Sequence, residues 1–415
     1  MRNFLTGRLL FVRVCLLAAV LLLLAVGVLT IYAVGNPRDP SPVFDKDIAA
    51  LAGHWKKQLV FILVAVLGFV ATNLVDYRRL GAASYLIYGV VLAMLAYLVV
   101  SRYVITLPFA EPNRNDVHRW IVFHPSLPRV QPSEFCKLAY VLALAWYLRY
   151  RSNYRSFKSL LGPFALTLLP TALILVEPDL GTTLLMMPIF FTMLFIAGAR
   201  VKHLAMVLLL ALLISPAMYL KMQGYQRLRI SSVALQSPWV RQKAQASPTL
   251  SNLLVGGKFT ERQWQNDWGY HLIRSKFAIA SGGLAGRGFG QGPFIRYDFL
   301  SERHNDFIFS VIAHQWGFLG CLVFLGLYVI LVLCGLEIAA NNIDPFARLA
   351  AVGITAMFGV QVLVNVGMTL GIMPITGLTL PFVSYGGSSV LVNLMAVGLL
   401  NNIGRCRPFT VAPKK

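Results

Sequence analysis

The chain has 415 residues, 57% of them hydrophobic and only 13% charged, and 37 lysines and arginines against 16 acidic residues give a net charge of +21. An average soluble domain carries about a quarter charged residues, so the composition excludes an ordinary soluble fold and indicates a polytopic membrane protein. The basic residues are scattered among apolar runs rather than gathered in a soluble basic domain, which argues against nucleic acid and for anionic partners such as headgroups, phosphates or pyrophosphates.

Apolar runs long enough to span, about 17 to 25 residues each, lie near 9–33, 58–75, 80–100, 133–149, 159–176, 180–199, 203–220, 306–336, 346–370 and 381–403. They predict a single all-α membrane domain over 1–415, with about ten transmembrane helices and a long extracytoplasmic loop, 221–305, before the eighth. The first run follows basic residues but is too long for a signal-peptide core, so it reads as an anchor. Placing the N-terminus inside puts Arg2, Arg8, Arg78, Arg79, Arg149, Arg151, Arg155, Lys158, Arg200, Lys202, Arg405, Arg407, Lys414 and Lys415 on the cytoplasmic side. Both termini are then cytoplasmic. Cys15, Cys136, Cys321, Cys334 and Cys406 stand singly in or near apolar runs, without disulfide or zinc spacing.

Four polar stretches interrupt this apolar plan. Gln131-Pro132-Ser133-Glu134 opens the fourth helix with Ser133 as its expected N-cap, and Lys137 follows Glu134 on the same face, as a structural ion pair or a substrate contact. The turn Glu177-Pro178-Asp179-Leu180-Gly181-Thr182 offers two carboxylates for a cation or a substrate hydroxyl, or a cap by Asp179. Tyr225-Gln226-Arg227-Leu228-Arg229-Ile230 sets two guanidiniums at the membrane surface, suited to phosphate oxygens or to headgroups. The run from Pro374 to Ser389 is rich in glycine and hydroxyls, among them Ser384, Tyr385, Ser388 and Ser389, as close helix packing requires.

The stretch from Trp268 to Gly320 differs from all of these. Its glycine run, Ser281 to Gly290, has no preceding strand and no Gly-Lys-Ser/Thr, so it is a poor nucleotide loop and reads better as a tight interfacial path. Glu302, Arg303, His304 and Asp306 then precede an apolar run. A carboxylate at the mouth of a lipid-embedded helix is costly, which makes Asp306 the first functional candidate. The external loop is also basic, with Lys276, Arg287 and Arg303 among others, which the positive-inside rule does not explain and which an anionic ligand at the outer leaflet, or general attraction to lipid headgroups, does.

In combination, Lys57-Gln58, Asn115 with Arg119-Trp120, QPSEFCK, EPDLGT, YQRLRI, SGGLAGRGFGQG, ERHNDFIF, Asn365 with Gly367, and PITGLTLPFVSYGGSS resemble the SEDS family, the polytopic peptidoglycan glycosyltransferases of shape, elongation, division and sporulation. RSKFAIASGG, ERHNDFIF and PITG resemble the elongation branch (RodA-like) more than the division branch (FtsW-like). The chain departs from the family pattern at Asp116, where glycine is usual, at His271 and Arg274, where glutamines are common, and at His314-Gln315, where two acidic residues are usual.

The resemblance implies polymerisation of lipid II into glycan strands at the outer face of the bacterial cytoplasmic (inner) membrane, for elongation and rod shape. It implies Asp306 as the general base on the acceptor hydroxyl. Arg227, Arg229, Lys276, Arg287 and Arg303 become candidates for the pyrophosphate, with Glu134, Lys137 and Ser384 as further substrate-cavity residues. A divalent cation, Mg2+ or Mn2+, would sit between substrate phosphates and a carboxylate, since no His/Cys cluster has metal-ligand spacing. The implied partner is a class B penicillin-binding protein, a transpeptidase. The competing classes are a lipid II flippase or transporter, which would also use about ten helices and buried charges, and a pure scaffold for a cell-wall complex, which needs no carboxylate at Asp306.

Overall fold

The structure, a computed structural model, describes residues 9–38, 51–105, 107–112, 118–124, 129–150, 160–177, 179–222, 224–297, 299–300 and 302–405. Arg2, Arg8, Asn115, Asp116, Arg151, Arg155, Lys158, Pro178, Cys406, Arg407, Lys414 and Lys415 lie outside them.

Each of the ten apolar runs forms a helix: α1 (Leu10–Gly35), α2 (His54–Leu74), α4 (Ser84–Tyr103), α5 (Pro132–Leu148), α6 (Leu161–Val176), α7 (Leu180–Ile196), α8 (Val201–Lys221), α14 (Ile308–Ala340), α15 (Pro345–Leu370) and α16 (Gly387–Arg405). Among the described residues seven of them are long and apolar enough to cross a membrane; α5, α6 and α7, at 16 or 17 residues, are shorter. The chain is thus a multi-pass, all-α membrane protein. A short helix α3 (Tyr77–Ala82) links α2 to α4, and an antiparallel hairpin of β1 (Ala110–Pro112) and β2 (His118–Ile121) leads into α5.

Small residues let the core helices approach closely, as they do where lipid supplies no hydrophobic drive for association. A Cβ on Gly398 of α16 would meet Thr72 Oγ1 of α2 at 2.3 Å, and the Thr72 hydroxyl is within 3.0 Å of the Met395 carbonyl. Asn402 donates to the Thr72 and Asn73 carbonyls at 3.0 and 3.1 Å, and Arg13 of α1 donates to Asn401 at 2.8 Å. α5 lies at the centre, with Glu134 and Lys137 both buried on it. α8 is the opposite case: only Leu204 and Val207 are buried, so nearly its whole apolar surface faces outward.

Two sequence expectations change in detail. Gln131, not Ser133, is the N-cap of α5, because Pro132 takes the first helical position; the Ser133 hydroxyl is thereby free to reach Asp179 at 3.0 Å. The last apolar run begins its helix at Gly387 rather than at 381, because the backbone ahead of it is held in turns.

The long loop is a folded cap rather than an extended path. It contains α9 (Gly224–Ser231), α10 (Pro238–Ala246), α11 (Pro248–Val255), α12 (Tyr270–Gly282) and α13 (Pro293–Arg296). Leu235, Ala244, Val255, Phe259, Trp264 and Leu272 give it a small apolar core of its own.

Candidate active site

Asp306 stands two residues ahead of α14, at a place fixed from three directions. Asn365 of α15 donates its Nδ2 to the Asp306 carbonyl at 3.1 Å and to the Leu378 carbonyl at 2.6 Å. Ser384 accepts from the Leu380 N–H and donates to the Asn305 carbonyl, both at 2.8 Å. The Tyr385 N–H donates to the His304 carbonyl at 3.0 Å, while Gln58 bridges the Ser384 carbonyl and the Gly386 N–H. Three motifs far apart in sequence therefore hold the backbone on either side of the carboxylate. The Asp306 side chain points past Gly377, whose absent Cβ would lie 3.4 Å from Oδ2.

The glycine run supplies a fourth support. α14 is broken at Gly317 (φ 64), and the Phe318 and Leu319 N–H groups donate to the Gly283 and Leu284 carbonyls at 2.9 and 3.1 Å. In return the Arg287 and Gly288 N–H groups donate to the His314 and Gln315 carbonyls, both at 3.0 Å. The run thus splints a broken transmembrane helix, satisfying backbone groups that lipid cannot. A Cβ at Gly286 (φ 83) would sit 2.1 Å from the Gln315 carbonyl oxygen. His314 and Gln315 belong to this splint: His314 Nδ1 pairs with the Ser281 hydroxyl at 2.7 Å, and Gln315 Oε1 accepts from the Gly290 N–H at 3.3 Å.

The charges around Asp306 come from distant parts of the chain. Burial pushes its carboxyl up to about 6, Glu302 adds to the rise, Arg229 and Arg119 oppose it, and Asp179 adds a smaller increment. Asp179 itself caps α7, accepting from the Thr182 N–H at 3.1 Å and from the Thr182 hydroxyl at 2.9 Å. Glu177, fully buried beside it, is pushed up to about 9 by burial, with Asp179 adding and Arg119 and Arg102 opposing. The Arg119 Nε donates to the Glu177 carbonyl at 2.9 Å. Across the mouth, the rings of His54, His304 and Tyr385 pack together at 4.7 to 5.7 Å, and burial lowers His304 to about 4, which keeps it neutral.

Of the residues singled out in the sequence, Asp306 and Arg229 come together and Ser384 holds the loop between them and α16. Lys276 does not join them; its Nζ lies 3.0 Å from Gln236 Oε1, lining a separate cavity of about 280 Å3 with Arg241 and Trp264. Arg287 donates to the Ser281 carbonyl at 2.8 Å. Arg227 donates to the Met222 carbonyl at 2.9 Å and to that of Leu220, closing the end of α8. Arg303 is 1% exposed and donates to the carbonyls of Phe294, Ile295 and Tyr297, so it braces α13 against the Asp306 loop. Glu134 and Lys137 form a buried pair, Oε2 and Nζ 2.7 Å apart though off the hydrogen-bond line. Arg119, at the site, carried no signal of its own beyond its place in a family motif.

The sequence model of the FtsW/RodA/SpoVE cell cycle protein family matches residues 13–407. A peptidoglycan glycosyltransferase RodA of Treponema pallidum is 32% identical over 94% of this chain and 96% of its own length. A probable peptidoglycan glycosyltransferase FtsW of Geobacter metallireducens is also 32% identical, over 84% of each chain. Among solved structures, a chain of a peptidoglycan synthase complex that coordinates polymerization and crosslinking superposes with a TM-score of 0.68 at 30% identity, covering 94% of this chain and 96% of that one. A match over nearly the whole length, in a chain whose motifs converge on Asp306, establishes that this protein belongs to the FtsW/RodA/SpoVE family of SEDS glycosyltransferases.

Proposed function

We propose that this chain polymerises lipid II into glycan strands at the outer face of the bacterial cytoplasmic membrane, with both termini in the cytoplasm, and that it serves cell elongation. The observation that carries the reading is the Asp306 carboxyl, on a backbone held at the Asp306 and Asn305 carbonyls by Asn365 and Ser384, and raised to about 6 by burial with Arg229 and Arg119 opposing. A base with that value is mostly ionised at neutral pH yet still basic enough to take a proton in the transition state.

In the proposed step the 4-hydroxyl oxygen of the acceptor GlcNAc attacks C1 of the donor MurNAc. The C1–O bond to undecaprenyl pyrophosphate breaks with its electron pair, and the hydroxyl proton passes to an Asp306 oxygen. Arg229 and Arg119, which already act electrostatically on Asp306, supply positive charge for the leaving pyrophosphate. Lys276 and Arg287 lie on the cap and Arg227 and Arg303 are bound to backbone carbonyls, so in this reading they shape the cavity rather than touch the reacting atoms. Glu134 and Lys137 fix α5, and with it the Ser133 contact to Asp179.

Asp306, Glu302 and Asp179 are hard oxygen donors of the kind that Mg2+ or Mn2+ prefers. Among the described residues no three His, Cys, Asp or Glu side chains converge as a ligand set, so such an ion would depend on substrate phosphates for much of its coordination. When bound it would neutralise pyrophosphate charge.

The elongation branch is supported by RSKFAIASGG, ERHNDFIF and PITG and by the RodA relative, whereas the FtsW relative at the same identity supports a division role. The similarity to a chain of a synthase complex that joins polymerization to crosslinking supports a class B penicillin-binding protein as partner. Purified chain, alone and with a transpeptidase partner, given fluorescent lipid II in liposomes, tests the class: polymer supports the transferase. Movement of unaltered lipid II between leaflets, with no polymer, supports a transporter instead. Rescue of rod shape in cells depleted of their own elongation enzyme, without rescue of division, separates the two branches.

A further inference from the structure

A second cavity, of about 400 Å3, lies at the far end of the bundle from Asp306. The geometry fixes its side of the membrane. α5 begins at the Asp179 contact and ends about 25 Å away, at Arg149; α15 begins at Asp344 and runs toward Asn365, which holds Asp306. The cavity sits where these remote ends meet α3, among Arg78, Arg149, Trp146, Tyr150, Ile343 and Asp344. The positive-inside pattern assigns that end to the cytoplasm.

Two guanidiniums face this space, and only one has an acidic partner among the described residues. Arg78 Nε is 3.9 Å from Asp344 Oδ2, and the same carboxylate caps α15 by accepting from the Phe346 N–H at 3.0 Å. Arg149, at the C-cap of α5, forms no ion pair among the described residues; its guanidinium lies over the Trp146 and Tyr150 rings, 4.6 Å from the Tyr150 centroid. Stacking on aromatic faces holds the fork in place while leaving its N–H edge for an oxyanion. The rim is not that of an aqueous pocket: Tyr150 is 78% and Ile343 75% exposed, an aromatic and an aliphatic side chain at helix ends in the headgroup layer.

We propose that this cavity binds the phosphate of an anionic phospholipid headgroup of the inner leaflet, held by Arg149 and Arg78, with Tyr150 and Ile343 against the start of the acyl chains. Its volume falls in the range of about 300 to 1,000 Å3 typical of small-molecule sites. The site is independent of the glycosyl-transfer reading, being remote from Asp306 and sharing no residue with it.

The test uses full-length protein in a neutral detergent, titrated with dioctanoyl phosphatidylglycerol, dioctanoyl phosphatidylcholine and glycerol 1-phosphate. The phosphatidylglycerol is expected to bind more tightly than either other probe, and Arg149→Gln to weaken it about fivefold. Ile343→Glu, at an exposed position that does not bear on folding, is expected to weaken it similarly by placing a carboxylate at the rim. An unchanged thermal unfolding midpoint in that detergent shows that both variants are folded. Equal binding of the two lipids, or phosphatidylglycerol binding unchanged in Ile343→Glu, overturns the site. Glycerol 1-phosphate binding as tightly as the lipid, with the same loss in Arg149→Gln, overturns the lipid assignment in favour of a soluble phosphate ester.

Discussion

An aspartate that ionises near 6 gives the reaction a pH limb where an ordinary one would give none. With a value of about 6 for Asp306, the ionised share is about nine-tenths at pH 7 and one-tenth at pH 5, so polymerisation should slow about tenfold over that interval. At the ordinary 3.8 the share would exceed nine-tenths at both ends, roughly, and the rate would hardly change. The neighbours supply signs as well as magnitude. Arg229→Gln and Arg119→Gln each remove a cation that favours the carboxylate, so the limb should move to higher pH; Glu302→Gln removes a like charge, so it should move to lower pH. Initial rates of glycan formation from fluorescent lipid II between pH 5 and 8, at saturating substrate and constant ionic strength, measure all four profiles. A flat wild-type profile, or a shift in the same direction for Arg229→Gln and Glu302→Gln, would refute the assignment of the limb to Asp306.

Other expectations follow from the same contacts. Lys137→Met strands the Glu134 carboxylate in the core and should cost about 3 kcal/mol of stability, much of it recovered when Glu134→Gln is added, as thermal unfolding of the two variants would show. The folded state keeps Glu177 protonated up to about pH 9 while an unfolded one ionises it near 4.5, so its stabilising contribution is complete below 4.5 and is lost as pH rises toward 9. Glu177→Gln should therefore lessen the fall in Tm between pH 5 and 8; an equal or steeper fall would contradict a neutral Glu177. Gly317→Ala combines a φ of 64° with a Cβ placed 2.3 Å from the Gly286 backbone nitrogen, and should cost several kcal/mol, about 3 or more, seen as loss of folded protein in detergent. Arg303→Lys keeps the charge but not the guanidinium whose Nη1 reaches three carbonyls, and should lower both Tm and polymerisation.

Hydropathy alone located the helices, because spanning runs must bury their backbone and are apolar over their whole length. It placed their ends less well. The start of α16 is set by Ser384 and Tyr385 bonding to a loop some eighty residues earlier, at Asn305 and His304, and no local pattern carries that information. Asp306 was legible because a carboxylate beside lipid is anomalous by itself. Arg119 was not, since it lies on a short hairpin, in a polar stretch where an arginine is unremarkable, and reaches the site only through the fold. The glycine run could be recognised as unfit for a nucleotide, but its partner, the break at Gly317, is hidden within an unbroken apolar run. The basic residues of the loop looked equivalent in sequence, and only three-dimensional placement separates Arg229, near Asp306, from Arg303, bound to carbonyls, and Lys276, in another cavity.

The most direct measurement compares Asp306→Asn with the wild-type chain, each purified with the proposed transpeptidase partner and supplied with fluorescent lipid II. The substitution keeps the shape of the side chain and leaves the Asn365 bond to the residue 306 carbonyl intact, while removing the proposed base. Glycan strands from the wild type and none from an equally stable Asp306→Asn protein are the expected result. Strands of normal length and rate from the variant would contradict the account.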